Sequence, residues 1–164
     1  MSGNHENEMG MAIQRSARRE RGYAAIALDN PKSSINVGSV LRAAGIYGAS
    51  LVQHSGRRYA KAPTDTMRAY RHMPLIQVDD VLDSIPYDCV PVAVDIVPGA
   101  RSLATYTHPE RAIYVFGAED QTLGARITSR CRDVIFVPTD GCMNLAAAVN
   151  VVLYDRMAKQ ERRK

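Results

Sequence analysis

The stretch FVPTDGCMNLAAAVN, residues 136–150, decides how this chain of 164 residues folds. The apolar run from Val134 to Val137 reads as a β-strand. Pro138 ends it, because proline has no N–H to give to a ladder. Asp140-Gly141 reads as a tight turn in which Gly141 is free to take a positive φ. A helix follows, roughly Asn144 to Lys159, with Ala146, Ala147 and Ala148 in its first turns. Such small side chains let a large group lie close to the backbone, and Asn144 stands at the mouth. A strand, a glycine turn and a small-residue helix start build a ligand pocket at the carboxyl end of a strand in α/β proteins. The same stretch also fits a plain strand-to-helix connection.

Outward from this stretch, the rest of the chain alternates strands with helices. Tyr23 to Leu28 is a short apolar run that reads as a buried strand. After the loop Asp29 to Ser34, Asn36 opens a helix in which Val37, Val40, Leu41, Ala44 and Gly48 follow the spacing of one buried face. Gly48 ends that helix and Leu51-Val52 begins the next strand. This βαβ unit implies a parallel sheet. His54 to Arg71 is a long, basic loop with a helical turn expected from Thr64. Loops of that length in compact domains are usually functional or mobile. Leu75 to Val78 reads as a third strand, Asp79 to Ile85 as a short helix capped by Asp79 or Asp80, and Val90 to Val94 as a fourth strand. Ile113 to Phe116 is the fifth, running into Gly117-Ala118-Glu119-Asp120, where Asp120 is placed to cap a helix from Gln121 to about Arg130. The expectation is an α/β fold: a mostly parallel, six-stranded sheet with helices on both faces. Residues 1–21 read as a flexible basic tail and residues 22–164 as a single domain.

Composition narrows the classes. Apolar residues make up 46% and charged residues 23%, ordinary for a soluble globular protein. No apolar run approaches a membrane span, and the polar N-terminus lacks the apolar core of a secretory signal. Cys89, Cys131 and Cys142 are odd in number with no CxxC spacing, which argues against a disulfide framework or a zinc site and suits a reducing cytoplasm. The net charge is +4, from 21 basic and 17 acidic residues. The basic residues cluster: Arg15, Arg18, Arg19 and Arg21; Arg57, Arg58 and Lys61; Arg68 and Arg71; Lys159, Arg162, Arg163 and Lys164. Clusters of this kind are the footprint of a protein that meets phosphates, and they equally suit solvated surface and frayed ends. Neither GxxxxGK[ST] nor a GxGxxG after the first strand is present, which lowers the case for an NTPase or a dinucleotide enzyme.

Three strand ends then carry the polar residues. In Asn36-Val37-Gly38 with Arg42, the glycine and the arginine share a helix face turned away from the apolar stripe, and Gly38 leaves room for a ligand. In Phe116-Gly117-Ala118-Glu119, Gly117 lets a ligand approach the backbone, and Glu119 is an acceptor or simply a charge that suits a helix start. The third is Gly141-Cys142-Met143-Asn144.

In this order the three stretches resemble the motifs of the SpoU/TrmH family of SPOUT RNA methyltransferases. The first family motif, N-x-G-x-x-x-R, is Asn36-Val37-Gly38-Ser39-Val40-Leu41-Arg42 here. The second, F-G-x-E, is Phe116-Gly117-Ala118-Glu119. The third runs from a strand through proline and glycine into S-[LM]-N and a helix ending L/V-Y-E; here it is Val137-Pro138, Gly141, Cys142-Met143-Asn144 and Leu153-Tyr154-Asp155. The match spans about residues 23 to 157. Each motif alone is weak, and the ordered set is specific.

The resemblance implies a deep C-terminal trefoil knot, S-adenosylmethionine bound in a bent shape within it, a homodimer, and methylation of a ribose 2′-hydroxyl in RNA. Carried over residue by residue, it sets the cofactor against Val94, Gly117, Val137, Cys142 and Met143, largely through backbone groups. Arg42, Asn36, Glu119 and Asn144 would surround the reacting ribose. In this family the arginine is often assigned the role of base, but a guanidinium does not readily give up its proton. Arg42 is therefore expected to orient the ribose or its phosphate and to stabilise the developing alkoxide, leaving the proton to Glu119, a phosphate oxygen or water. Two positions depart from the pattern: Cys142 stands where serine is usual, and Ala146 where a second polar residue is common. Tyr59 and Tyr70, beside the basic clusters, are placed to stack on bases. Cys142-Met143-Asn144-Leu145 resembles compact members acting on the tRNA wobble nucleotide, so tRNA is favoured and rRNA remains open. The competing readings are a knotted RNA-binding protein without transferase activity, and an α/β enzyme for another nucleotide.

Overall fold

The computed structural model describes residues 22–58, 71 and 73–162. The expected N-terminal tail, the turn at Thr64, Lys61, Arg68 and the two tyrosines Tyr59 and Tyr70 lie outside the described residues. The chain forms β1 (Tyr23–Leu28), α1 (Ser34–Ile46), β2 (Leu51–His54), β3 (Leu75–Gln77), β4 (Val90–Val94), β5 (Arg101–Ser102), β6 (Arg111–Phe116), α2 (Gly124–Thr128), β7 (Asp133–Phe136) and α3 (Leu145–Glu161). A 3₁₀ turn, Leu103–Thr105, follows β5.

Among the described residues the sheet has seven strands rather than six, in the order β3-β2-β1-β6-β4-β7-β5. All its pairings are parallel. The strand missing from the sequence reading is β5, two residues long and polar, so it carries no apolar run to betray it. It holds its place by pairing Arg101 with Ile135 and Ser102 with Phe136.

Both faces of the sheet are covered, and the strands show why. In β1, Ala24, Ile26 and Leu28 enter one apolar cluster while Ala25 and Ala27 enter the other. In β6, Ala112, Tyr114 and Phe116 alternate in the same way with Ile113 and Val115. A strand buried on both faces must be apolar at every position, which is the signature of a central parallel strand. α1 and α3 pack on the first face, with Val37, Val40, Leu41, Ala43 and Ala44 meeting Leu145, Val149, Val152 and Leu153. The alanines of α1 let the two helices approach closely. Ile127 of α2 and the turn residues Val81 and Leu82 cover the other face.

Helix ends follow local chemistry. α1 begins two residues before Asn36, because the Ser33 hydroxyl accepts from the Asn36 amide (3.3 Å) and caps it there. Beyond its end, Gly48 takes a φ of 72°, which suits glycine. The expected helix at 79–85 is instead a run of turns, in which the Asp80 carboxylate accepts from the Leu82 amide at 2.8 Å. The expected helix from Gln121 to Arg130 shrinks to α2, with Leu123 at its N-cap position and no side-chain cap. Asp120 does not cap it; its carboxylate faces Arg58 at 3.1 and 2.7 Å. Gly141 does not adopt a positive φ either. The bend there is closed by the Thr139 hydroxyl, which donates to the Gly141 carbonyl at 2.8 Å.

The last turns of α3 are held by a buried polar network. Arg156, 5% exposed, donates to the carbonyls of Pro109 (2.6 Å) and Glu110 (2.7 Å) and to the Tyr114 hydroxyl (3.2 Å). Lys159 donates to the carbonyls of Leu103 and Tyr106 and pairs with Asp155. His108 lies between them, with Nδ1 2.6 Å from the Tyr114 hydroxyl and Nε2 2.8 Å from Asp155. Because the Tyr114 oxygen accepts from Arg156, its proton is free to go to His108 Nδ1, and Nε2–H then donates to Asp155. Every donor and acceptor in this chain is satisfied with a neutral imidazole. Protonating Nδ1 would leave the tyrosine proton without that acceptor.

Burial holds the His108 pKa below the usual histidine value, against the pull of Asp155, and Arg156 and Lys159 push the same way. The unfolded chain therefore takes up a proton at His108 that the folded chain refuses. Stability from this group is complete above the ordinary histidine pKa of about 6.5 and is lost as pH falls through and below it. We expect the melting temperature to fall between pH 8 and pH 5.5. His108→Gln should lower it at pH 8 and flatten that fall; an unchanged slope in the variant would refute the assignment.

Candidate active site

The loops leaving the carboxyl ends of β4, β6 and β7 enclose a cavity of about 520 Å³. Val94, Asp95 and Ile96 line it after β4, and residues from Phe116 to Thr122 after β6. Phe136, Val137, Thr139, Cys142 and Met143 line it after β7, with Leu145 and Ala148 from the start of α3. The volume is in the range of small-molecule and cofactor sites, and the position is where open parallel sheets bind ligands. All five residues expected at the cofactor, Val94, Gly117, Val137, Cys142 and Met143, lie on this lining. The alanines divide their work: Ala148 lines the cavity, Ala146 is buried in the core and Ala147 faces solvent.

Gly117 is needed for a reason the sequence did not show. A Cβ there would come within 3.0 Å of the Gln121 carbonyl oxygen and 3.4 Å of the Leu123 amide. The glycine lets its own loop fold back to form the cavity wall. At Gly38, by contrast, an added Cβ would meet nothing within 4 Å, in keeping with open space on that face of α1.

Three of the four polar residues expected around the substrate are joined by hydrogen bonds. The Asn144 side-chain oxygen accepts from the amides of Ala146 (2.9 Å) and Ala147 (3.4 Å), capping α3. Its nitrogen donates to Asn36 Oδ1 at 3.1 Å. Asn36 Nδ2 in turn donates to Glu119 Oε1 at 2.7 Å. Glu119 also accepts from the amides of Lys32 (2.9 Å) and Ser33 (3.2 Å), so both carboxylate oxygens are engaged. Burial alone would raise the Glu119 pKa; the bonds from Asn36, Lys32 and Ser33 outweigh it and hold the carboxyl below its usual range. Glu119 is thus an ionised organiser that ties the entry of α1 to the loop after β6.

Arg42 is placed differently. It is exposed on the outer face of α1, does not line the cavity, and has no hydrogen bond or ion pair among the described residues. Ile35, Ser39 and Ile46 share that face at helical spacing, with Ile35 68% and Ile46 67% exposed.

Two features escaped the sequence reading. Asp95 accepts from the Ile96 amide and from the Leu123 amide, each at 2.8 Å, while its own N–H donates to the Ile135 carbonyl at 2.9 Å. Its carboxylate fastens the loop after β4 to the loop after β6, and its backbone prolongs the ladder with β7. A carboxylate directly after the apolar run Val90 to Val94 was the available signal. The second is Asp120, held by Arg58 and, at 3.7 Å, by Lys32, which joins the loop after β2 to the cavity rim.

The sequence pattern of the SpoU rRNA Methylase family matches residues 23–154. No curated protein matches the chain. Among solved structures, the SpoU methyltransferase AviRb from Streptomyces viridochromogenes, in complex with the cofactor AdoMet, is 20% identical with a TM-score of 0.78. That match covers 87% of this chain and 59% of AviRb, so the present chain spans little more than half the length of that protein. A structure addressing the 2-OH methylation of C/U34 on tRNA is 22% identical with a TM-score of 0.74, over 88% of this chain and 100% of that one. The A. aeolicus TrmH/SpoU tRNA modifying enzyme is 17% identical with a TM-score of 0.76, over 95% and 85% of the two chains. At such identities the likeness establishes the fold.

The hydrogen-bonded series makes a direct prediction. Glu119→Ala leaves three donors without their acceptor at a partly wet site, which should cost about 1–2 kcal/mol. Asn36→Ala should cost a similar amount, and the double variant less than the sum, because both act through one bond. Strict additivity in urea denaturation would mean that the bond is not formed in solution.

Proposed function

This chain belongs to the SpoU rRNA methylase family, and from that premise we propose that it methylates a ribose 2′-hydroxyl of RNA with S-adenosylmethionine as the donor. The observation that carries the reading is the meeting of three sequence-distant motifs, through Glu119, Asn36 and Asn144, beside a cavity of about 520 Å³ at the strand ends. A knotted C-terminal path and a cytoplasmic location belong to the same reading.

The lining fits the cofactor. Its walls are mostly apolar, it has the volume for a nucleoside, and it follows three parallel strand ends that present backbone amides and carbonyls. Val94, Gly117, Val137, Cys142 and Met143 would hold the group, and a thiol at Cys142 would contribute less hydrogen bonding than a hydroxyl. When bound, S-adenosylmethionine supplies a methyl on a sulfonium, already activated for displacement.

What remains for the protein is to hold the 2′-oxygen in line and to let its proton leave. Glu119 is a poor acceptor for that proton, because Asn36 and two backbone amides stabilise its ionised form. Its part, with Asn36 and Asn144, is to position the substrate wall, and the proton goes to a phosphate oxygen or to water. Arg42 orients the ribose or its phosphate and stabilises charge on the reacting oxygen.

The chain would work as a homodimer. Ile35, Ile46 and Tyr154 leave apolar surface exposed on α1 and α3, and a second copy of the chain is the occupant we assign to it. Arg42 shares a face with Ile35 and Ile46, so it would act at the junction of two copies, in keeping with its absence from the lining of its own cavity.

For the substrate we favour tRNA. The match to the structure concerned with tRNA 2-OH methylation, over 88% of this chain and 100% of that one, supports that choice. The name of the family whose pattern matches keeps rRNA as the second reading.

Incubation with methyl-labelled S-adenosylmethionine and separated tRNA and rRNA, followed by nucleoside analysis, tests the proposal. A labelled 2′-O-methyl nucleoside from tRNA is expected. Label on a base, or cofactor binding without transfer to either RNA, would overturn the ribose assignment or the activity. Ile46→Glu should convert a dimer to a monomer by light scattering and abolish transfer. Arg42→Lys should keep the dimer and lose on the order of 10-fold or more in turnover, since a lysine cannot make the planar bidentate contact.

A further inference from the structure

The cavity carries an imbalance of charge that its apolar walls make important. Among the described residues, three carboxylates line it, Asp95, Glu119 and Asp120, and no lysine, arginine or histidine does. Asp120 is compensated, because Arg58 grips it with two hydrogen bonds of 3.1 and 2.7 Å and Lys32 lies 3.7 Å away. Glu119 is partly offset, because the Arg58 charge acts on it as well, whereas Asp95 has no ion pair among the described residues. The partners of Asp95 are the amides of Ile96 and Leu123, and those of Glu119 are two backbone amides and the Asn36 side chain. Hydrogen bonds from neutral donors do not cancel the charge of a carboxylate. With Arg58 and Lys32 set against Asp120 and Glu119, one uncompensated negative charge, that of Asp95, stands at the wall, in surroundings that screen it less than water does.

Resting on the cofactor reading above, we infer that the cavity selects its ligand by charge, preferring a sulfonium nucleoside to the neutral thioether left after transfer, with Asp95 the specificity-determining residue. S-adenosylmethionine and S-adenosylhomocysteine share adenosine, ammonium and carboxylate groups, and differ by one methyl and one positive charge. A wall that only fitted the shared groups would bind both alike. One that adds an uncompensated carboxylate favours the charged form and relaxes its hold once that charge is gone. Such a difference favours exchange of product for fresh donor without any moving part. Asp95 is singled out because Glu119 already serves the wall between the motifs, whereas the Asp95 carboxylate is fixed at the end of β4 by two backbone bonds.

The test is calorimetric titration of the full chain with S-adenosylmethionine, S-adenosylhomocysteine and sinefungin, which carries an ammonium where the sulfonium stands. The two cationic ligands should bind more tightly than the thioether by on the order of 3- to 10-fold, the scale of one charge acting across a partly wet cavity. Asp95→Asn removes the charge and should lessen that ratio, whatever it does to affinity overall. Asp95→Glu keeps the charge but displaces the backbone fastening; it should weaken all three ligands while preserving the ratio. Equal or tighter binding of S-adenosylhomocysteine to the natural chain would overturn the inference, as would an Asp95→Asn variant that weakens all three ligands in proportion. If none of the three binds the natural chain, the cofactor reading itself fails. Folding of both variants is checked by circular dichroism.

Discussion

The hydrogen bond from Asn36 to Glu119 is the constraint on which the site depends. Residues 83 positions apart meet there, and the bond exists only because β1 and β6 are adjacent, parallel and in register from Tyr23–Arg111 to Leu28–Phe116. In a parallel pair the carboxyl ends lie together, so the loop leading into α1 and the loop after β6 emerge side by side. Glu119 then does for the first turn of α1 what a capping residue does from within the chain: it satisfies backbone donors at Lys32 and Ser33 and orients Asn36. Asn36 passes that order to Asn144, and Asn144 to the first amides of α3. A fault anywhere in the central sheet would separate these groups.

α3 is fixed at both ends by different means. At its start, Asn144 joins it to the cavity rim. Near its end, Arg156 and Lys159 reach the carbonyls of Leu103, Tyr106, Pro109 and Glu110, the segment that enters β6. Between these points Val149, Val152 and Leu153 pack against α1. The clamp at the far end is costly to bury, but Arg156 meets the carbonyls of Pro109 and Glu110 and the Tyr114 hydroxyl, and a buried cation with that many acceptors specifies one position for the helix more sharply than apolar packing alone. The position of α3 in turn fixes Leu145 and Ala148 against the cavity.

Much of this was legible in the sequence. Buried parallel strands announce themselves as unbroken apolar runs, and Tyr23–Leu28, Val90–Val94 and Ile113–Phe116 did so. The family resemblance set Val94, Gly117, Val137, Cys142 and Met143 at one site, and all five lie on the cavity lining. What escaped was set by tertiary partners. β5 is a strand only because β7 offers it an edge, and nothing in Arg101-Ser102 says so. Asp120 has the position of a helix cap, but Arg58, 62 residues away in sequence, outbids the local amides with a bidentate ionic contact. The helix it was expected to start is displaced to Gly124, and the Leu123 amide finds its acceptor in Asp95. Asp80 likewise serves Arg126 and Arg130 at 3.0 and 2.9 Å while turning its own backbone, and no helix forms there.

The sparseness of reactive side chains around the cavity is itself informative. A reaction whose driving force arrives with the donor asks the protein for geometry and for a field, not for a strong acid or a strong base. Glu119 illustrates the difference. Each donor that fixes it in place also lowers its affinity for a proton, so the same bonds that make it a good organiser make it a poor base. Asp95, fastened by two amides, is likewise held in one place at the cavity wall. An ionised group held by neutral donors keeps its field, and a field needs no movement to act on a cation. Precision in the sheet and charge without compensation in the wall are therefore two products of one arrangement, strand-end carboxylates whose hydrogen bonds are spent on the backbone.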